Sequence, residues 1–208
     1  MNRQAHWQAV YLEKEADAVS WYREHLEVSL DMLRGLGLPA ETRILDAGAG
    51  ASTFVDDVLE LGFSQITAVD ISAAALDKSR NRLLGRAEEV TWFAADITSA
   101  ELPAQSVDFW HDRAVFHFLT EHFERRAYVN QLQRCIAQKG HVLLATFHID
   151  GPAKCSGLNV QRYSADMMSA ELGNDFRLLQ SRQETHVTPW KSEQQFIYAL
   201  FQRSDGSA

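Results

Sequence analysis

The stretch that decides the fold is Arg43-Ile44-Leu45-Asp46-Ala47-Gly48-Ala49-Gly50-Ala51-Ser52-Thr53. Its first five residues form a short apolar run, which reads as a buried strand. Glycines follow at positions 48 and 50, and Ser52 or Thr53 can cap a helix over residues 52–61. Glycines at such a bend permit a tight turn and let a ligand touch backbone. The helix beyond them offers free N–H groups. A dinucleotide loop would read G-x-G-x-x-G. Here the third glycine is absent, and Asp46 stands two residues ahead of Gly48. A carboxylate aimed into the loop repels a pyrophosphate and attracts an ammonium group.

The same rhythm continues outward from the loop. Residues 65–71 read as a second strand, closed by Asp70, and Ser72 caps a helix over 73–84. A third strand, 90–95, runs into Asp96 and Ile97, and a loop with Pro103 leads to a fourth, 107–112. A helix over 121–137, ended by Lys139-Gly140, precedes a strand over 141–149. A loop at 151–157, a helix over 164–172 capped by Ser164, and strands 176–188 and 194–203 around Pro189 complete the chain. Upstream, Val19, Tyr22, Leu26, Leu30 and Leu33 recur at helical spacing, which predicts a helix over 18–36 ended by Gly35, Gly37 and Pro39.

Strands alternating with helices over short connections imply right-handed crossovers and a parallel sheet covered on both faces. The expectation is one α/β domain over 1–208: a doubly wound, Rossmann-like, seven-stranded and mostly parallel sheet. An antiparallel C-terminal hairpin edges it, and a helical N-terminal cover over 1–40 precedes the core at 41–208.

Composition narrows the function classes. The chain has 208 residues, 46% hydrophobic and 23% charged, an ordinary globular balance. No window approaches ~18 uninterrupted apolar residues, as a membrane helix would need. The charged N-terminus lacks the apolar segment of a secretory signal. Two cysteines, Cys135 and Cys155, are too few for a disulfide scaffold or a four-cysteine zinc site, so the expected compartment is a reducing cytoplasm. A formal net charge of −8 without a basic run argues against nucleic acid and against an anionic membrane surface. The expected partner is a small molecule, for a monomeric chain.

Asp46, Asp70 and Asp96 each end one of three successive strands. With the glycine loop they resemble the class I S-adenosylmethionine-dependent methyltransferases over about residues 42–150. The resemblance implies that the loop holds the methionine part of the cofactor, Asp70 the ribose, and Asp96 with Ile97 the adenine. The implied cofactor set is Asp46, Gly48, Ala49, Gly50, Asp70, Ile71, Asp96 and Ile97. Trp21 of the N-terminal segment joins it, since such segments commonly close the cofactor site in this family. Ser52 departs from the family's usual third glycine. A nicotinamide-dependent dehydrogenase is the nearest rival, disfavoured by Asp46 and the missing glycine.

The fourth strand runs Val107-Asp108-Phe109-Trp110-His111-Asp112-Arg113-Ala114-Val115-Phe116-His117-Phe118. Ionisable groups crowd an apolar stretch beside the switch point, where open α/β sheets bind ligands. With Arg126 and Tyr128 this segment resembles the thiopurine S-methyltransferase branch, whose Asp-Arg pair lies at the substrate pocket. It is also similar to the segment of protein-lysine methyltransferases acting on elongation factors, with Arg113 where they carry Lys and His117 where they carry a final Asp. The expected catalytic group is therefore Asp112, Arg113 and His117: Arg113 raises the thiolate fraction of a bound thiol, and His117, or in its place His111, can accept a proton. His117 and His122 are spaced wrongly for shared metal ligation, so no metal is expected. The implied activity is methyl transfer to a small soft nucleophile. A protein lysine is the alternative acceptor, and a binding module without turnover the third reading.

Overall fold

The computed structural model describes residues 2–204. The predicted boundaries at residues 1 and 208 lie outside the described residues. The strands are β1 (Arg43–Ala47), β2 (Gln65–Asp70), β3 (Val90–Ala94), β4 (Val107–Arg113), β5 (Ile136–Phe147), β6 (Lys154–Cys155), β7 (Leu158–Asn159), β8 (Phe176–Val187) and β9 (Glu193–Arg203). The helices are α1 (Arg3–Glu13), α2 (Glu27–Arg34), α3 (Phe54–Glu60), α4 (Ala73–Leu83), α5 (His122–Cys135) and α6 (Ala165–Leu172).

The main sheet has seven strands in the order β3-β2-β1-β4-β5-β9-β8. β1 to β5 run parallel, and β9 and β8 return antiparallel at one edge. β6 and β7 pair only with each other. The strand order reverses between β1 and β4, so the carboxyl ends of these two strands frame the crevice that such sheets use for ligands.

Side chains alternate across the sheet and bury two separate cores. Ile44, Phe109 and Leu143 meet Leu30 and Leu33 of α2, Phe54 and Val58 of α3 and Leu76 of α4. On the other face Leu45, Trp110 and Leu144 meet Leu132 of α5 and Met168 and Leu172 of α6. Local chemistry starts the helices where the sequence indicates. The Ser72 hydroxyl accepts from the Ala75 N–H, and Ser164 from the Met167 N–H. Glu121 and Glu124 form a reciprocal capping box at the head of α5. At α3 the Ser52 hydroxyl accepts from the Phe54 N–H, while Thr53 makes no side-chain cap.

Two expectations are corrected. The helix predicted over 18–36 covers only Glu27–Arg34; residues 14–26 form turns between α1 and α2. Val19 and Leu26 are buried as their spacing suggested, but tertiary partners take the backbone there. The Ser20 carbonyl accepts from His186 Nε2, and the Trp21 carbonyl accepts from Arg113. The helix predicted to Ala137 ends at Cys135, and Ile136 already opens β5. Ile136 is fully buried and pairs with Val107. The irregularity falls one turn later, at Lys139 (φ 61°), where the register jumps from the Val107–Ile136 pair to the Phe109–His141 pair.

Candidate active site

The loop after β1 bends as its glycines permit. Gly48 and Gly50 have φ of +69° and +55°. The amides of Gly48 and Ala49 both donate to the Val69 carbonyl at 2.7 and 3.0 Å, which staples the loop to β2. A Cβ on Gly48 would lie 1.9 Å from Val115 Cγ2, and one on Gly50 would lie 2.5 Å from the Tyr11 hydroxyl oxygen.

Asp46, Asp70 and Asp96, each within two residues of the carboxyl end of β1, β2 or β3, line one cleft together with Gly48, Ala49, Ile71 and Ile97. Asp46 is 2% exposed. Its Oδ1 accepts from His111 Nδ1 at 2.7 Å, while its Oδ2 is buried without a partner. His111 Nε2 lies 2.9 Å from the Ser29 hydroxyl, and its ring stacks on Phe54 at 3.8 Å. The ring N–H faces Asp46, so the Ser29 hydroxyl donates to Nε2 in the neutral tautomer. Asp70 accepts from the Gly50 N–H at 2.9 Å and the Ser72 N–H at 2.8 Å. Burial raises its pKa to about 6, and Asp46 adds to that shift. Asp96 turns one oxygen back to the Thr98 N–H and hydroxyl.

The N-terminal segment roofs the cleft. Gln8 of α1 accepts from the Ser72 hydroxyl and the Ala74 N–H at the head of α4. Trp7 meets Trp21 and Phe118 edge-on at 5.7 and 5.0 Å. Tyr11 is pressed against Gly50, and burial pushes its pKa far upward.

Arg113 closes the other end. Its Nε donates to the Tyr198 hydroxyl at 3.1 Å, its Nη1 to the Trp21 carbonyl at 2.9 Å, and its guanidinium sits 4.6 Å over Phe196. Its Nη2 is buried without a partner. The Tyr198 hydroxyl donates onward to Glu184 at 2.7 Å, and Glu184 also accepts from Arg23 at 2.5 Å. Cys155 lines this end, and burial raises its thiol to about 11.

The structure thus brings together Asp46, Gly48, Ala49, Asp70, Ile71, Asp96, Ile97, Trp21 and Arg113, with Gly50 under Tyr11 beside them. It does not bring Asp112 or His117 to the cleft. Asp112 is 0% exposed on the opposite face, accepting from the Tyr128 hydroxyl at 2.5 Å and from the Val115 and Phe116 amides. Burial raises its pKa to about 6 against these donors. His117 Nδ1 accepts from the Phe147 N–H at 3.3 Å, and burial first, then Arg113, lowers its pKa to about 3, so the ring is neutral. Ser29 and Gln8 were missed as contributors, and His111 was read as a proton acceptor rather than as the partner of Asp46. For His111 a signal existed: β1 and β4 lie side by side, and Asp46 pairs with His111 in register.

Residues 44–140 match the model of a methyltransferase domain. The eEF1A lysine and N-terminal methyltransferase of Bos taurus is 24% identical over 66% of this chain and 19% of its own length. The chain thus spans about a fifth of the curated relatives it matches. A structure from work on the conversion of a disulfide bond into a thioacetal group during echinomycin biosynthesis superposes with a TM-score of 0.80 at 18% identity, covering 100% of this chain and 95% of that one. The Burkholderia thailandensis 1,6-didemethyltoxoflavin-N1-methyltransferase, solved with its 1,6-didemethyltoxoflavin and S-adenosylhomocysteine, gives 0.75 at 20% identity over 98% and 89%. Among the described residues, no helix is long and apolar enough to cross a membrane.

Proposed function

We propose that this chain is a class I S-adenosylmethionine-dependent methyltransferase, a reading supported by the match of residues 44–140 to the model of a methyltransferase domain, and that it moves a methyl group to a small soft nucleophile, a thiol or a heavier relative of one. S-adenosylmethionine supplies a methyl group activated by its sulfonium centre. The residues present suit that donor. Asp46 keeps one buried oxygen without a partner, and such an oxygen is costly unless a donor such as an ammonium arrives. Gly48 and Gly50 leave the backbone of the bend bare. The lone pairs that Asp70 does not spend on Gly50 and Ser72 serve the ribose hydroxyls, and Asp96 with Ile97 serves the adenine. Trp7, Tyr11 and Trp21 exclude water.

The observation that carries the acceptor class is Arg113, a guanidinium among aromatic rings at the far end of the cleft. A thiol has a pKa near ~8.5, and a neighbouring guanidinium raises its thiolate fraction. The nucleophile then needs no protein base, which agrees with the neutral His117 standing away from the cleft. The segment from Asp112 to Tyr128 supports kinship with the thiopurine S-methyltransferase branch, Asp112 serving as the strut that holds the strand end. One fold relative comes from work on a disulfide-to-thioacetal conversion, so sulfur compounds lead the acceptor screen.

The second reading is methylation of a protein amine, favoured by the similarity to eEF1A lysine and N-terminal methyltransferases. Arg113 disfavours it, because a guanidinium repels an incoming ammonium. Release of S-adenosylhomocysteine across thiols, selenols, amines and carboxylates decides between them. Turnover of free thiols is the expected result. Labelled protein bands from labelled donor, with free thiols inert, would reject it.

A further inference from the structure

The charged residues lining the cleft are Asp46, Asp70, Asp96, Arg3, Arg23 and Arg113. The three acids sit at the glycine loop and the ends of β1 to β3. Of the three cations, Arg3 pairs with Glu124 and Arg23 with Glu184. Arg113 has only neutral partners: a phenol, a backbone carbonyl and a ring face. One Nη2 remains buried with nothing to donate to, and so does Arg23 Nε at the same end. Glu184, which shares the Tyr198 hydroxyl with Arg113, is spent on Arg23 and Tyr198. His186 contributes no charge, because burial lowers its pKa to about 4. Cys155 is held as the neutral thiol. This end therefore carries one guanidinium charge that no carboxylate among the described residues offsets, in a chain whose net charge is −8.

A half-buried guanidinium with one buried, unpaired nitrogen and no counter-ion is costly, and planar donors match carboxylates in two-point contacts. Trp21, Tyr22 and Phe118 line the same cleft, and the Phe196 ring lies against the guanidinium. We propose that the acceptor carries an anionic group, a carboxylate, on an aromatic body, and that Arg113 Nη2 holds this group while the rings clamp the body. The inference rests on the methyl-transfer reading of the cleft and adds the acceptor's recognition handle.

The test is calorimetric binding of benzoate and of its neutral isostere benzamide to the full chain saturated with S-adenosylhomocysteine. Benzoate is expected to bind at least about tenfold tighter, the scale of one charge-assisted hydrogen bond. Arg113→Gln should erase that preference and leave S-adenosylhomocysteine affinity within about twofold. Because Arg113 also ties the Trp21 carbonyl to the sheet, Arg113→Lys is measured beside it; a partial preference is expected, since lysine keeps the charge and loses the fork. Equal binding of the two probes, no benzoate binding, or a full preference in Arg113→Gln would overturn the proposal. A turnover arm compares 3-mercaptobenzoate with benzenethiol. A retained benzoate preference with both thiols inert would leave the anion site standing and remove the thiol reading. Equal kcat/KM for both thiols would do the reverse.

Discussion

Replacing Gly48 with alanine should cripple the loop by two separable routes. The first is backbone: φ is +69°, and a residue with a Cβ loses about 1–2 kcal/mol in the left-handed region. The second is contact: the new Cβ would stand 1.9 Å from Val115 Cγ2. Val115 cannot easily retreat. Its β-branched side chain has few rotamers, and its amide is tied to Asp112 Oδ1 at 3.0 Å. Overpacking of this kind costs about 1–3 kcal/mol, so Gly48→Ala should lose about 2–5 kcal/mol. Gly62 supplies the control. Its φ is +89°, and nothing lies within 4 Å of where a Cβ would be, so Gly62→Ala should lose only the backbone part, about 1–2 kcal/mol. Val115→Ala in the Gly48→Ala background removes the obstructing methyl. A double-mutant cycle should then return a favourable coupling of about 1–3 kcal/mol. Urea denaturation followed by tryptophan fluorescence measures all five proteins, the Val115→Ala single variant and the wild type included, and calorimetry with S-adenosylhomocysteine measures the site. Equal losses at Gly48 and Gly62 with no coupling would refute the close approach.

The remaining predictions concern the acids and their supports. Asp70→Ala should weaken S-adenosylhomocysteine binding by about 1–3 kcal/mol, the cost of hydroxyls left unpaired; unchanged calorimetric affinity would remove the ribose assignment. Asp70 also has a pH signature. Its pKa rises from 3.8 unfolded to about 6 folded, so the folded state holds the proton longer and stability falls as pH climbs through that window, by at most about 3 kcal/mol. Denaturation midpoints at pH 4.5 and 7 should show this slope in the wild type, and Asp70→Asn should lack that component; an identical slope in both would assign the titration elsewhere. His111→Leu strips Asp46 of its one side-chain donor among the described residues and should cost about 1–3 kcal/mol of stability with weaker cofactor binding, and an unperturbed melt would show that Asp46 does not rely on the ring. Tyr128→Phe removes a bond to Trp110 and another to Asp112, so it should destabilise by about 1–3 kcal/mol while S-adenosylhomocysteine affinity stays within about twofold; a large affinity loss would return Asp112 to the site.

Much of the fold was legible because its signals are local. Serines and a capping box open α4, α6 and α5, glycines bend the loop, and apolar runs mark the strands. Where the reading failed, long-range bonds outweighed periodicity. Val19 and Leu26 are buried at helical spacing, yet the intervening carbonyls go to His186 and Arg113, more than ninety residues downstream. The gathering of the three acids in one cleft was legible for a related reason: Asp70 ends β2, and Asp46 and Asp96 stand within two residues of the ends of β1 and β3. The acceptor side was not, because it depends on which way neighbours on a strand point. Asp112 and Arg113 are adjacent in sequence, but strand alternation sends one into the α5 face and the other into the cleft. Asp46 pairs with His111 in register, and Ala47 with Asp112. Knowing that β1 adjoins β4 settles that parity; the chain order of residues alone does not.

That parity also explains how one short segment serves two purposes. Asp112 gathers the Val115 and Phe116 amides and the Tyr128 hydroxyl, which stiffens the turn after β4. Val115 is the residue whose methyl bounds the space above Gly48. Arg113 on the facing side reaches across Ala145 of β5 to Tyr198 of β9, a single row of the sheet, and holds the Trp21 carbonyl of the roof. A carboxylate outside the cleft thus sets the shape of the cofactor loop, and a guanidinium inside it joins roof, sheet and acceptor end. Loss of Asp112 should therefore appear first as a stability defect, whereas loss of Arg113 should appear first in the acceptor.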